Sequence, residues 1–304
     1  MPQILEKRWF IRDHIGGQPR QVWLFHNQMA TRMDVTNPER GPGTFFKADL
    51  GEDFSDCIRR QTTWLDPGMI EGRFYPAHLG PGEYHPRIAR PLALAIEPML
   101  WSPWASADKA FVASTRSQLT ALIRKLGTIC QTVEPSEKNL NVYGHETRNL
   151  LILAATEVEM HFRGILTANG SSAQRFNSNE YVKLIEPLKL LDYTITFHDF
   201  PDLQTIQPFA GWSKSDPTKS LAWYSAYNGV KHNREGEFDR GTLRRAFEAV
   251  SACIALQVAQ FGPTALNLEL LSIMTLRVPE WLIEEMYLSP MTSPNWTPTH
   301  HPGL

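Results

Sequence analysis

The chain of 304 residues is poor in cysteine, with only Cys57, Cys130 and Cys253. They lie far apart, without the close pairs that zinc sites and redox motifs need or the density of a secreted disulfide scaffold, so they read as reduced thiols. Long apolar runs are also lacking. The nearly uncharged apolar run Asn149 to Thr156 falls far short of the roughly 20 residues that span a bilayer. The opening MPQILEKRWFIRDHIGGQPR mixes charge with apolar groups where a signal peptide would have an unbroken apolar core. A soluble, cytoplasmic protein without a membrane partner is the expectation. Neither sign of charge is in excess: 30 Lys and Arg against 32 Asp and Glu leave −2. That excludes whole-molecule steering toward polyanions and leaves any nucleic-acid contact to local patches. No G-x-x-x-x-G-K-[ST], no G-x-G-x-x-G after a strand and no G-x-S-x-G occurs, so P-loop, dinucleotide-fold and α/β-hydrolase readings lack their phosphate cradle or nucleophile turn. His78, Glu83 and His85 match no compact zinc spacing, and neither a metal nor another cofactor is expected.

What is present is enough apolar material, 42% of residues with 11% aromatic, to offset chain entropy by burial. Proline divides the chain: eleven of the 22 fall in residues 1–104, whereas residues 105–200 contain only Pro135 and Pro187. The fold class expected is α+β, mainly α. A small β-containing, Pro- and Trp-rich region (1–104) precedes a helical bundle (105–263), followed by a helical extension and frayed tail (264–304). Arg8–Arg12 and Gln21–His26 read as strands flanking a Gly16-Gly17 connection, with shorter strands at Gly43–Leu50 and Gly72–Tyr75. The clearest helix spans Glu146–Thr167, where Leu151, Ala155, Val158, Phe162 and Ile165 form one apolar stripe and Asn169-Gly170 supplies the stop. Helices are also expected over Ala107–Val133, over Asn179–Leu191 and from near Lys219. An amphipathic one runs from Leu243 to Phe261 and stops at Gly262-Pro263.

Chemistry concentrates in Trp223–Phe238. On a helix Asn228 and His232 share one face with Tyr224, Lys231 and Glu235, while Trp223, Ala226, Tyr227 and Val230 face the other way. An amide, an imidazole and a cation on one surface suit an anionic phosphate. Lys231, His232 and Arg234 also complement the negative end of a helix dipole, which is the purely structural reading. Gly229 inside the helix leaves room for another chain to approach. Glu157 with His161 and Glu159 with Arg163 are i,i+4 pairs that read as surface pairs, with Glu157 nearest the buried stripe and able to support a site. Arg240, Arg244 and Arg245 are placed in the first turns of the last helix, where cations oppose the dipole and hint at an anionic partner or at pairing with Glu248. Trp64, Trp101 and Trp104 suit either base stacking or core packing.

Tyr227 to Arg234, YNGVKHNR, near the end of one helix and before a second long one, resembles the motif region of the HEPN superfamily. The stretch RNLLILAATEVEMHFRGIL from Arg148 to Leu166 is similar to that family's opening helix. The resemblance covers about residues 136–262. It implies a dimerising helical bundle, many of whose members are metal-independent ribonucleases of defence, toxin–antitoxin or RNA-processing systems. Their motif runs arginine, a polar residue, three variable residues, histidine. Here Asn228 and His232 fill the polar and histidine positions, and Tyr227 stands where the arginine would be. The resemblance thus implies His232 as general base with Asn228 orienting the phosphate, and Lys231, Arg234 or Arg244 binding it, Tyr224 and Glu157 in support. Two functions stay open: an RNA- or nucleotide-binding homodimer able to cleave, and a non-catalytic dimeric interaction module.

Overall fold

A computed structural model describes residues 7–13, 19–96, 99–291 and 293–304; the side chain of Arg234 lies outside the description. The fold is α+β, mainly α. The chain forms two compact units: Met1–Tyr84 with Arg90–Met99 and Trp281–Pro298, and His85–Ala89 with Leu100–Glu280 and Thr299–Leu304.

The first unit is built on an antiparallel sheet of β1 (Arg8–Arg12), β2 (Gln21–His26), β3 (Met29–Arg32), β4 (Phe45–Lys47) and β5 (Phe74–Pro76), in the order β4-β3-β2-β1-β5. β1 and β2 occupy the two aromatic runs marked in the sequence; their Gly16-Gly17 connection lies outside the described residues. β2 turns into β3 through Asn27 and Gln28, at φ 50° and 60°. A two-residue type I′ hairpin turn needs that pair of left-handed residues. Alternation along β1 sends Phe10 to one face with Trp23 and Phe25, and Ile11 to the other with Val22, Ala93, Met286 and Leu288. The first face is covered by two helices, α1 (Phe54–Gln61) and α2 (Pro67–Glu71), where only β structure and loops were expected. Their starting signals are local: Asp53 and Asp66 accept from the Asp56 and Met69 amides, and Pro67 takes the first helical position.

Four helices carry the second unit: α3 (Lys109–Cys130), α4 (His145–Ala168), α5 (Ala222–His232) and α6 (Leu243–Phe261). The apolar stripe of α4 is buried as its spacing predicts. α6 was expected to be amphipathic but is enclosed on every side from Ala249 to Phe261. It runs parallel to α4, with Cys253 Sγ donating to the Ala154 carbonyl at 3.3 Å and Gln260 reaching His161 seven residues further along both. Gly262, at φ 82°, ends it; a Cβ there would lie 2.3 Å from the Leu100 carbonyl oxygen.

The helix expected over Asn179–Leu191 is broken into Ser178–Tyr181 and Ile185–Leu188 joined by a tighter turn, and Lys189 at φ 49° stops it. Residues 264–288, read as helical, hold one short α-helix, Leu268–Ile273. That helix leads into a strand, Met274–Arg277, antiparallel to Thr194–Phe197. At the end of α4 the Asn169 side chain donates to the Pro86 carbonyl and accepts from the His301 amide, which holds the last residues to this unit. Among the described residues no helix is long and apolar enough to cross a membrane.

Candidate functional site

Trp223, Ala226, Tyr227 and Val230 of α5 are buried, as the helical spacing predicts. Tyr224, placed by spacing on the polar face, is buried as well. The reason is Glu159 of α4. Tyr224 Oη donates to Glu159 Oε1 at 2.6 Å and Tyr227 Oη to Glu159 Oε2 at 3.1 Å. Lys231 Nζ in turn donates to Tyr227 Oη at 2.6 Å and sits 4.8 Å from the centre of its ring. Burial and the neighbouring carboxylate push the Tyr224 phenol well above its ordinary pKa, and the Tyr227 hydroxyl holds the Lys231 ammonium above the usual lysine value. The Tyr224 phenol therefore stays a protonated donor at neutral pH. Tyr227 is wholly buried in this chain of contacts.

The remaining candidates are dispersed. Asn228 Nδ2 donates to the Tyr224 carbonyl at 3.0 Å. His232 is exposed at the end of α5, and among the described residues no hydrogen bond joins it to Asn228. Arg234's side chain lies outside the described residues. Arg244 donates to Glu137 at 2.7 Å and Arg245 to Glu248 at 2.6 Å. Arg240 lies in a 3-10 turn ahead of α6 and not in its first turns, bonded to Glu237 and to Ser225 Oγ. The cations expected to hold phosphate are thus largely satisfied within the chain. Gly229 also makes room within its own chain: a Cβ there would lie 2.8 Å from Glu237 Oε2 and 2.9 Å from Arg240 Nη1.

Glu159 was read as a surface partner of Arg163, but no ion pair joins them among the described residues. The sign in the sequence is Tyr227 alone, since a phenol on an apolar helix face needs a partner. Tyr224→Phe removes a charge-assisted bond from a half-buried carboxylate. It is expected to lower stability by about 1.5 kcal/mol in urea denaturation; an unchanged midpoint would show that water serves Glu159 equally well.

Glu157 and His161, the other expected surface pair, belong to a buried network. His161 is 1% exposed. Its Nδ1 faces Gln260 Nε2 at 3.0 Å and Arg87 Nη2 at 3.4 Å, both donors, so the imidazole proton sits on Nε2, 3.6 Å from Glu157 Oε1. Gln260 Oε1 accepts from Arg87 Nε at 2.9 Å and from Nη2 at 2.6 Å. Arg87, at φ 57°, lays its guanidinium 4.9 Å from the centre of the Phe111 ring and across Gly164, where a Cβ would meet Nη1 at 1.7 Å. Burial pushes the His161 pKa down to about 3, with the Arg87 charge adding to it, and lowers Arg87 to about 10. At neutral pH the histidine is neutral and the arginine charged. Burial also raises the Glu157 carboxyl. Glu157 therefore serves this network and makes no described bond to the Tyr224, Tyr227 and Lys231 group. Among the described residues no group of three or more His, Cys, Asp or Glu side chains could hold a metal ion. Glu83 accepts from the Gly80 amide and His85 Nδ1 meets the Thr299 carbonyl.

Comparison with protein-family models, curated proteins and solved structures finds no match to the chain.

Proposed function

We propose that the second unit is a HEPN-like, non-catalytic module that works as a homodimer. The observation that carries this reading is Tyr227. Where a ribonuclease of that family would present a guanidinium to the scissile phosphate, this chain has a neutral phenol, buried and spent on Glu159 and Lys231. A phenol cannot neutralise charge developing on a phosphate. Arg244 and Arg245 are likewise paired with carboxylates.

A second reading, an RNA-binding or metal-independent endoribonuclease module, is favoured by one feature: His232 is exposed where a polyanion can reach it. In that reading His232 takes the proton of a ribose 2′-hydroxyl, Asn228 orients the phosphate and Arg234 offsets the charge. Incubating the purified chain with RNA in excess chelator, beside a His232→Ala variant, separates the two. Intact RNA in both samples, with a dimer in analytical ultracentrifugation, is the expected result. Chelator-resistant cleavage that disappears in His232→Ala would overturn the non-catalytic reading, and a monomer at micromolar concentration would overturn the dimer.

A further inference from the structure

The sheet of the first unit forms one wall of a cavity of about 250 Å³ whose lining includes Arg12, Trp23, Phe46, Gln61, Trp64 and Phe74. Strand register builds it. Arg12 of β1 stands opposite Gln21 of β2 on one side and Phe74 of β5 on the other, so the three side chains share one face. The guanidinium of Arg12 accordingly sits 5.4 Å from the centre of the Phe74 ring and donates to Gln21 Oε1 at 3.3 Å. Trp23 and Phe46 stack with rings 3° from parallel at 5.9 Å, and Phe74 meets Trp23 edge-on. Trp64, between α1 and α2, is 71% exposed, which is unusual for an indole beside so many aromatic neighbours.

The polar features of this cavity are selective. Arg12 Nε is buried without an acceptor. Arg73 and Arg32 are close enough to disfavour the Arg12 charge further. Among the described residues no carboxylate lines the cavity. An aromatic cage for an ammonium group would place a carboxylate there or leave the rings bare, so a cationic ligand is disfavoured. An aliphatic side chain would leave unanswered the guanidinium that lines the cavity, whose Nη1 has, among the described residues, only the long bond to Gln21 at 3.3 Å. A planar ring with hydrogen-bond acceptors on its edge meets both demands. The volume lies just below the roughly 300–1,000 Å³ of pockets that enclose whole drug-sized ligands, so one ring system enters and the rest of the molecule stays outside.

We propose that the first unit carries a nucleotide-binding site: one base enters this cavity and stacks on Trp64, Arg12 meets its acceptor edge, and the phosphate remains outside in the field of Arg73, since Arg32 is already paired with Asp34 at 2.8 Å. The nucleotide is either free or part of a single strand. This site shares no residue with α5, so it stands or falls separately from the reading of His232.

Calorimetric titration of the full chain tests it, with adenosine 5′-monophosphate, a six-residue adenylate RNA and adenosine as probes. Saturable binding of the monophosphate or the RNA is expected, and which of them binds more tightly tells the free ligand from the strand. Adenosine, lacking phosphate, is expected to bind at least about tenfold more weakly. Trp64→Ala should weaken nucleotide binding about tenfold, the scale of one lost base–aromatic stack, and Trp64→Phe should restore most of it. The exposure of Trp64 makes both variants safe for folding, which far-UV circular dichroism verifies. Absence of binding by both phosphate-bearing probes, equal affinity in Trp64→Ala, or adenosine binding as tightly as its monophosphate would overturn the proposal.

Discussion

Replacing Gln260 by leucine is expected to destabilise the folded chain by about 3–5 kcal/mol, the loss typical when a buried charge is stripped of its partner. Arg87 is 6% exposed, and its two bonds to Gln260 Oε1 are the shortest it makes. Among the described residues no carboxylate contacts the guanidinium, so the carboxamide oxygen carries most of the replacement for lost water. Leucine preserves volume but offers no acceptor, and the Gln260 bond to His161 goes with it. A double variant, Arg87→Met with Gln260→Leu, removes both charge and acceptor. Its loss should be smaller than the sum of the single losses by about 2 kcal/mol, because no group is left stranded. Urea denaturation of the four proteins at pH 7 closes the cycle. A Gln260→Leu loss under about 1 kcal/mol would mean that the guanidinium finds solvent by another route.

The second large effect is a loss of stability in mild acid. In the unfolded chain His161 takes up a proton near its ordinary pKa of about 6.5, but in the folded chain only near about 3. Between those values the unfolded state holds more protons, so stability falls as pH falls. At about 1.4 kcal/mol per pH unit, this group alone removes about 2 kcal/mol between pH 6.5 and pH 5. Glu157 acts in the opposite sense: its raised carboxyl pKa makes the folded state hold more protons above the usual carboxylate range, offsetting part of the loss toward lower pH. His161→Gln keeps hydrogen-bonding capacity without a titrating ring. It is expected to start weaker at pH 7 and to lose less than the parent on moving to pH 5. Urea midpoints for both proteins at pH 7, 6 and 5 measure the difference, and parallel curves would refute a buried neutral imidazole.

Much of the fold could be read where periodicity was strong and local. β1 and β2 carry aromatic and β-branched runs, the α4 stripe from Leu151 to Ile165 repeats over about four turns, and Gly262-Pro263 marks the end of α6. The α1 and α2 helices were missed because each is short and lies among prolines and glycines; their evidence was the caps Asp53 and Asp66-Pro67 rather than periodicity. The strands at Thr194–Phe197 and Met274–Arg277 pair across some eighty residues, a relation invisible to any local window.

Spacing on α5 located the apolar face correctly but could not tell that Glu159 would draw Tyr224 inward. The Arg87 network was the least legible. His161 falls at i,i+4 from Glu157, which is the pattern of a solvated pair, and nothing local announces that Arg87, more than seventy residues earlier, will reach it. The one sign was glutamine at 257 and 260 inside the uncharged stretch from Ala249 to Phe261, since amides in a core require partners.

That α4 and α6 lie side by side in the same direction has a consequence for biosynthesis. Parallel neighbours cannot be joined by a tight turn, and here some seventy residues separate the end of one from the start of the other. A nascent chain therefore exposes the greasy flank of α4 until the translating ribosome has released Phe261. That interval invites chaperones, and truncation anywhere before it leaves a sticky fragment rather than a smaller folded one.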